Sequence, residues 1–272
     1  MQKLKNNFFI SSLTLIFLLV IFSNPLVADD YYPVLVRDVL MGAFNEDGEW
    51  EESPDEVIVD GHLVDLSDIE GDETLMERLD DDQNIPCIIP YLTRGQDLAF
   101  YNTSGKIGVS ELEEITIHYQ GYAIGSAAIS LKISNHNFDN RQLEVGVAAD
   151  LQNVLPAPTT KTVSKNQVEF TTGHSGGMNV TFEKIGNEWK GRVYLMGHKI
   201  SLEIPMGGGE DDEFLISPDG PDVLNCGFFD LNGDGQMEIV IDDTSPDGFA
   251  AIFSIHPERG LKMLTWRYMG KE

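Results

Sequence analysis

An all-β fold is what this sequence predicts, and three observations carry the expectation. Large apolar residues recur at every second position over much of the chain, as in Val180 and Phe182 or Ile200, Leu202 and Ile204, which is the period of a strand with one buried face. Turn chemistry interrupts these runs at short intervals, at Asn45-Glu46-Asp47-Gly48, Asp60-Gly61, Ser104-Gly105 and Gly186-Asn187. Only Glu73 to Leu79, with Leu75, Met76 and Leu79 on one side, follows a helical spacing. The expected architecture is an antiparallel meander or sandwich, built as two packed β-rich subdomains.

Taken in order, Val34-Leu35-Val36 opens the strands, and Asn45 to Gly48 turns the chain towards Trp50. Val57-Ile58-Val59 and His62-Leu63-Val64 flank Asp60-Gly61, a two-residue hairpin signal. Further strands are expected at Leu98 to Tyr101, Ile115 to Tyr119, Ala127 to Ile133 and Leu143 to Ala148, with Ser134-Asn135-His136-Asn137 as punctuation. Asn153 to Thr162 holds Pro156, Pro158 and a run of threonines. It reads as a linker, or as a long loop within one domain. Taken as a boundary, it separates an N-terminal β-rich domain at 29–152 from a C-terminal one at 163–272. Beyond it come strands around Val180 and Phe182, Trp189 to Leu195, and Ile200 to Ile204, with Leu261 to Tyr268 last. Gly207-Gly208-Gly209 and Glu210 to Glu213 read as a solvated loop. Ser-Pro-Asp-Gly occurs at 217–220 and again at 245–248, suits a type I turn, and reads as a weak internal repeat.

Residues 1–28 read as an export signal. Lys3 and Lys5 form a basic start, Phe8 to Phe22 is charge-free and apolar, and Leu26-Val27-Ala28 offers a cleavage site. No cysteine stands near position 29, so a lipid anchor there is not indicated. An uncleaved membrane anchor is the alternative, but the apolar run falls short of the about 20 residues of a spanning helix. Cleavage leaves 244 residues, enough for one large or two small domains. The leader carries two lysines and no acidic residue, so the net charge of −27 becomes −29. Such a surface repels nucleic acid and anionic lipid. The 42% of hydrophobic residues and the strand patterning favour a folded chain over a disordered one. Cys87 and Cys226 are the two cysteines, a number that permits one disulfide in an exported protein or two buried free thiols.

The densest chemistry lies in Asp230-Leu231-Asn232-Gly233-Asp234-Gly235-Gln236-Met237-Glu238. Side-chain oxygens fall on alternate residues and Gly235 follows the third. A hard cation such as Ca²⁺ takes six to eight oxygen ligands, and such a loop supplies them. Asp230, Asn232, Asp234 and Glu238 offer side-chain oxygens, and Gln236 offers its backbone carbonyl. An EF-hand is excluded: it requires a glutamate at loop position 12, where this chain has Ile241, and it requires helices on both sides. Phe228-Phe229 before the loop and Ile239-Val240-Ile241 after it favour strands. The expectation is a β-hairpin filled by metal near the C-terminus. A turn of Asp, Asn and Gly without metal is the plain alternative.

These residues resemble the calcium loop of FG-GAP and VCBS-type repeats, with Asp230, Asn232, Asp234, Gly235 and Glu238 on its pattern, followed by Gly248 and the apolar run Phe249 to Phe253. The resemblance implies structural calcium and covers about residues 223–255. Because the loop occurs once, it does not bring a propeller with it.

Other motifs are weaker. Gly173-His174-Ser175-Gly176-Gly177 matches the G-x-S-x-G nucleophile elbow, which requires a strand before it and a helix after it. Met178 to Phe182 reads as a second strand, so Ser175 is expected in a hairpin turn and no catalytic residue is nominated. The histidines at 62, 118, 136, 174, 198 and 256 form no close metal-binding pair. Asn102-Thr103-Ser104 and Asn179-Val180-Thr181 fit the glycosylation sequon, which matters only in a eukaryotic secretory host.

The sequence thus leads to an exported, non-catalytic, calcium-binding β-rich protein in the periplasm or outside the cell. As a binding or structural module it would meet a protein or glycan ligand. The alternatives are a secreted hydrolase of glycans or esters with structural calcium, and an accessory or inhibitor subunit of another exported protein. Neither a nucleic-acid partner nor stable membrane insertion after cleavage is expected.

Overall fold

A computed structural model describes residues 31–54, 56–66, 69, 73–80, 84–119, 127–139, 141–151, 154–173, 177–186, 188–195, 200–204, 222–245, 248–256 and 260–269. The leader, Ser175, residues 207–213 and the first Ser-Pro-Asp-Gly lie outside the described residues. The fold is all-β and antiparallel.

The N-terminal half contributes β1 (Tyr32–Val36), β2 (Val39–Phe44), β3 (Trp50–Glu52), β4 (Glu56–Val59), β5 (His62–Asp65), helix α1 (Glu73–Asp80), β6 (Ile85–Pro86), β7 (Asp97–Asn102), β8 (Gly105–Tyr119), β9 (Ala127–Ile133) and β10 (Val145–Ala148). Strands β1, β10, β7, β8, β9 and β2 follow one another in a sheet, and β2 pairs back onto β1, so six strands close into a barrel. Closure gives each of the six a neighbour on both sides, although β9 meets β2 only at Ser130 and Val39. The long β8 pairs with β7 along its first half and with β9 along its second, and its register shifts between Leu112 and Glu114, where a bulge bends the strand. Leu35, Leu40, Leu98, Phe100, Ile117, Ile129 and Leu131 join one core with Val57 and Val59 of β4 and with Leu75 and Leu79 of α1. Asp60 and Gly61 make the β4–β5 turn, both at positive φ (50° and 83°), as a two-residue hairpin of this kind demands.

The C-terminal half builds two five-stranded sheets from β11 (Leu155–Ala157), β12 (Thr159–Ser164), β13 (Gln167–Thr172), β14 (Met178–Ile185), β15 (Glu188–Leu195), β16 (Ile200–Ile204), β17 (Leu224–Asp230), β18 (Glu238–Asp243), β19 (Phe249–His256) and β20 (Gly260–Tyr268). The orders are β11-β17-β18-β19-β20 and β12-β13-β14-β15-β16. The first is the middle layer of the molecule. One face, with Phe229, Val240, Ala250 and Ile252, packs on Val34, Met41, Val145 and Val147 of the barrel wall. The other, with Cys226, Phe228, Ile239, Ile241 and Phe253, packs on Val168, Phe170, Phe182 and Val193 of the outer sheet. This double burial explains why β17 and β18 read as continuous runs rather than alternations. Gly227 permits the close approach: a Cβ there would lie 2.9 Å from Leu143 and 3.0 Å from Thr103 of the barrel half.

The proline- and threonine-containing stretch is strand rather than linker or loop. Pro156 sits in β11, the edge of the middle sheet, where a missing N–H is tolerated, and the β-branched threonines extend β12. Cys87 and Cys226 are free and buried in separate cores. Burial pushes both thiols up, that of Cys87 to about 12. The strands flanking Ser175, β13 and β14, are antiparallel neighbours, so no helix follows the Gly-His-Ser-Gly-Gly stretch.

Candidate metal centre

Strands β17 and β18 deliver the predicted ligands. Asp230 ends β17 and Glu238 begins β18, one step beyond the pairing of Phe229 with Glu238. Both are almost wholly buried, at 3% and 4% exposure, while Asn232 is half-buried and Asp234 and Gln236 are exposed. The loop is tied by its own amides. The Leu231 N–H donates to Glu238 Oε2 (2.9 Å) and the Gly235 N–H to Asp230 Oδ2 (2.9 Å). The Asp234 N–H donates to Asn232 Oδ1 (3.1 Å) and the Gln236 N–H to Asp234 Oδ1 (2.7 Å). The Gln236 side chain also donates to Asp234 Oδ2 (3.2 Å). Gly233 and Gly235 stand at φ of 75° and 85°, which lets the chain turn this tightly.

Asp230 and Glu238 therefore converge on the loop interior from its two ends, and Asp234 sits on the rim. No group of three His, Cys, Asp or Glu among the described residues is gathered closely enough to hold a metal. The electrostatics nevertheless fit a cation. Burial, with Asp234 and Asp230 adding repulsion against the Leu231 amide, pushes the Glu238 carboxyl up to about 8. Burial likewise raises Asp230 against the amides of the loop. Asp230 Oδ1 is buried with no hydrogen-bond partner, and neither Asp230 nor Glu238 forms an ion pair among the described residues. A buried anionic oxygen without a partner is expensive unless a cation meets it.

Sequence reading missed how the loop is seated. Leu231, between two proposed ligands, is fully buried in the core shared by the barrel and the middle sheet. Asn232 Nδ2 stands 3.5 Å from the carbonyl oxygen of Gly48 in the β2–β3 turn. That turn is itself held by Asn45, whose Oδ1 accepts from the N–H groups of Asp47 and Glu49. The only signal was the Asn-Glu-Asp-Gly turn chemistry, which says nothing about what the turn touches.

Two polar pairs also went unread. At the far end of the β17–β18 pair, Arg37 of the β1–β2 turn meets Asp242 at 2.8 Å, with side-chain exposures of 13% and 0%. On the barrel, Ser130 Oγ lies 2.8 Å from His118 Nδ1. Ser130 is buried in mid-strand and its carbonyl accepts from Thr116 Oγ1, an arrangement of packed polar groups rather than a nucleophile open to substrate. No family model matches this chain, and neither a curated protein nor a solved structure does so.

Proposed function

We propose that the chain is an exported, non-catalytic, calcium-binding protein that serves as a binding or structural module in the periplasm or at the cell surface. Asp230, Asn232, Asp234 and Glu238 would hold the ion through side-chain oxygens and Gln236 through its carbonyl. The observation that carries the reading is the buried, unpartnered Asp230 Oδ1 beside the buried Glu238. Bound calcium supplies positive charge where two carboxylates have only amides. This chain's own part is to hold the two carboxylates inward from adjacent strands and to fix the loop on the barrel through Leu231.

Thermal melting in chelator, in 1 mM calcium, and in salt of matched ionic strength tests the reading. With a Kd of about 0.1 mM, at the tight end of the range of extracellular sites, 1 mM calcium stabilises by about 1.4 kcal/mol. Asp234→Ala abolishes that shift, and Glu183→Ala, exposed on the outer sheet, keeps it. Equal shifts in wild type and Asp234→Ala would reduce the effect to general screening of the acidic surface and overturn the proposal.

A further inference from the structure

At one rim of the barrel, the start of β1, the end of β10 and the segment leading into β7 enclose an open cleft of about 440 Å³. Ligand sites commonly occupy about 300–1,000 Å³, and the mouths of barrels are a frequent place for them. Tyr31, Tyr32 and Tyr91 line it, together with Arg94, Gln96 and Asp150. We infer that this cleft binds a neutral carbohydrate, with Tyr91 as the surface on which a sugar ring stacks. The inference rests on the reading of the chain as a binding module and names its ligand class.

Three features lead there. The Tyr91 hydroxyl is buried and unpartnered although the residue is half-exposed, so Tyr91 offers the cleft its ring and backbone rather than its polar tip. The Tyr31 ring lies beside it at 5.4 Å between centroids, tilted by 36°, widening the aromatic surface. Aromatic faces of this kind take up the apolar C–H face of a pyranose ring. Next, the cleft lining carries one guanidinium, Arg94, and one carboxylate, Asp150, and neither is in an ion pair among the described residues. A cleft for an anion would not carry the carboxylate, and one for a cation would not carry the guanidinium. A guanidinium, a carboxylate and an amide together match a ring of hydroxyls, each both donor and acceptor. Lastly, the loop bearing Arg94 is held before any ligand arrives. The Gly95 N–H donates to the Leu112 carbonyl (2.8 Å), the Gln96 N–H to the Thr93 carbonyl (3.0 Å), and the Thr93 N–H to Gln96 Oε1 (3.2 Å). Preformed sites of this kind lose less entropy on binding.

The test is binding of the full chain to an array of neutral and charged oligosaccharides, with retention on cellulose, chitin, xylan and peptidoglycan. The expected result is binding to at least one neutral glycan, weakened on the order of tenfold or more by Tyr91→Ala and by Arg94→Ala, as for a central contact. Tyr194→Ala, on the outer sheet, leaves it unchanged. Arg94 is exposed, so its variant keeps the test sound if Tyr91→Ala does not fold. Silence across the whole panel, binding insensitive to both variants, or preference for an oligoproline peptide overturns the inference. Calcium-dependent melting without glycan binding overturns this inference alone; glycan binding without a calcium response overturns the metal reading alone.

Discussion

The two ends of the β17–β18 pair hold buried carboxylates in opposite circumstances. At one end Asp242, fully buried, has the guanidinium of Arg37 at 2.8 Å. At the other, Asp230 and Glu238 are as deeply buried and receive only backbone amides. Burial dominates at both: it raises Asp242 to about 6 even against Arg37, and Glu238 to about 8. An amide offsets part of the lost hydration of a carboxylate but brings no net charge. The difference teaches that, among the described residues, only the first end carries its own counter-charge; in the proposed reading a bound cation would supply one at the second.

Removing the guanidinium makes the first end resemble the second, and this is the largest effect expected. Arg37→Ala leaves Asp242 buried without a counter-charge and should lower stability by about 3–5 kcal/mol in denaturant titration. Replacing both partners, as Arg37→Met with Asp242→Leu, should recover most of that loss. An unrecovered double variant would show that the pair specifies how barrel and middle sheet dock rather than merely compensating charge.

The sign of the pH dependence follows from the same carboxyl. The folded pKa of Asp242, about 6, lies above the unfolded value near 3.8, so the folded state holds the proton more tightly. Its contribution is full below the unfolded pKa and is lost as pH rises through about 6. Arg37 opposes the shift, while Asp243, which accepts from the Ser245 N–H and hydroxyl, adds to it. Arg37→Ala should therefore steepen the decline in melting temperature between pH 4 and 7. A slope unchanged from wild type would remove Asp242 as its source.

Leu231→Ala tests the packing that holds the second end. Its side chain is fully buried among Val34, Met41 and Phe229, so truncation should reduce stability by about 2–5 kcal/mol. It should also weaken calcium binding, since the ligands on either side lose their anchor. Reduced stability with unchanged calcium affinity would mean that the loop holds its shape by its own hydrogen bonds.

Removing charge at the second end should have a sign that depends on the metal. Glu238→Gln in chelator removes the cost of protonating this buried carboxyl on folding near neutral pH while keeping an acceptor for the Leu231 amide, and should raise the melting temperature. In calcium the same variant loses a proposed ligand and forgoes the stabilisation of about 1.4 kcal/mol that the ion would supply at tenfold its Kd, so its standing against wild type drops by that amount and falls below it wherever the gain in chelator is smaller. A variant less stable in both conditions would place the role of Glu238 in packing.

These contrasts also mark what could be read in the sequence. Period-two patterning and turn residues revealed local elements: β9 at Ala127–Ile133, the Asp60-Gly61 hairpin and helix α1. They could not reveal closure of the barrel, which depends on β1 pairing with both β2 and the distant β10. The spacing of Asp230, Asn232, Asp234 and Glu238 was legible because it is local. The burial of Asp230 and Glu238 was not, because it depends on the tertiary packing around the middle sheet. Arg37 and Asp242 are 205 residues apart, so neither residue alone announced the pair.

The smallest effect concerns the turn on which the metal loop rests. Gly48 adopts φ of 77°, and a Cβ there would lie 3.4 Å from Asn232 Nδ2, ordinary contact rather than a clash. The main penalty of Gly48→Ala is thus the left-handed backbone, about 1–2 kcal/mol for an L-residue. Asparagine tolerates that region better, so Gly48→Asn should lose less stability than the alanine variant. Its larger side chain would nonetheless crowd Asn232, a proposed ligand. The two substitutions therefore separate backbone strain from disturbance of the loop: alanine lowers the melting temperature in calcium and in chelator alike, whereas asparagine mainly reduces the calcium-dependent increment. If neither variant changes that increment, the β2–β3 turn is only a neighbour of the metal loop, and the linkage between the second end and the barrel runs through Leu231 alone.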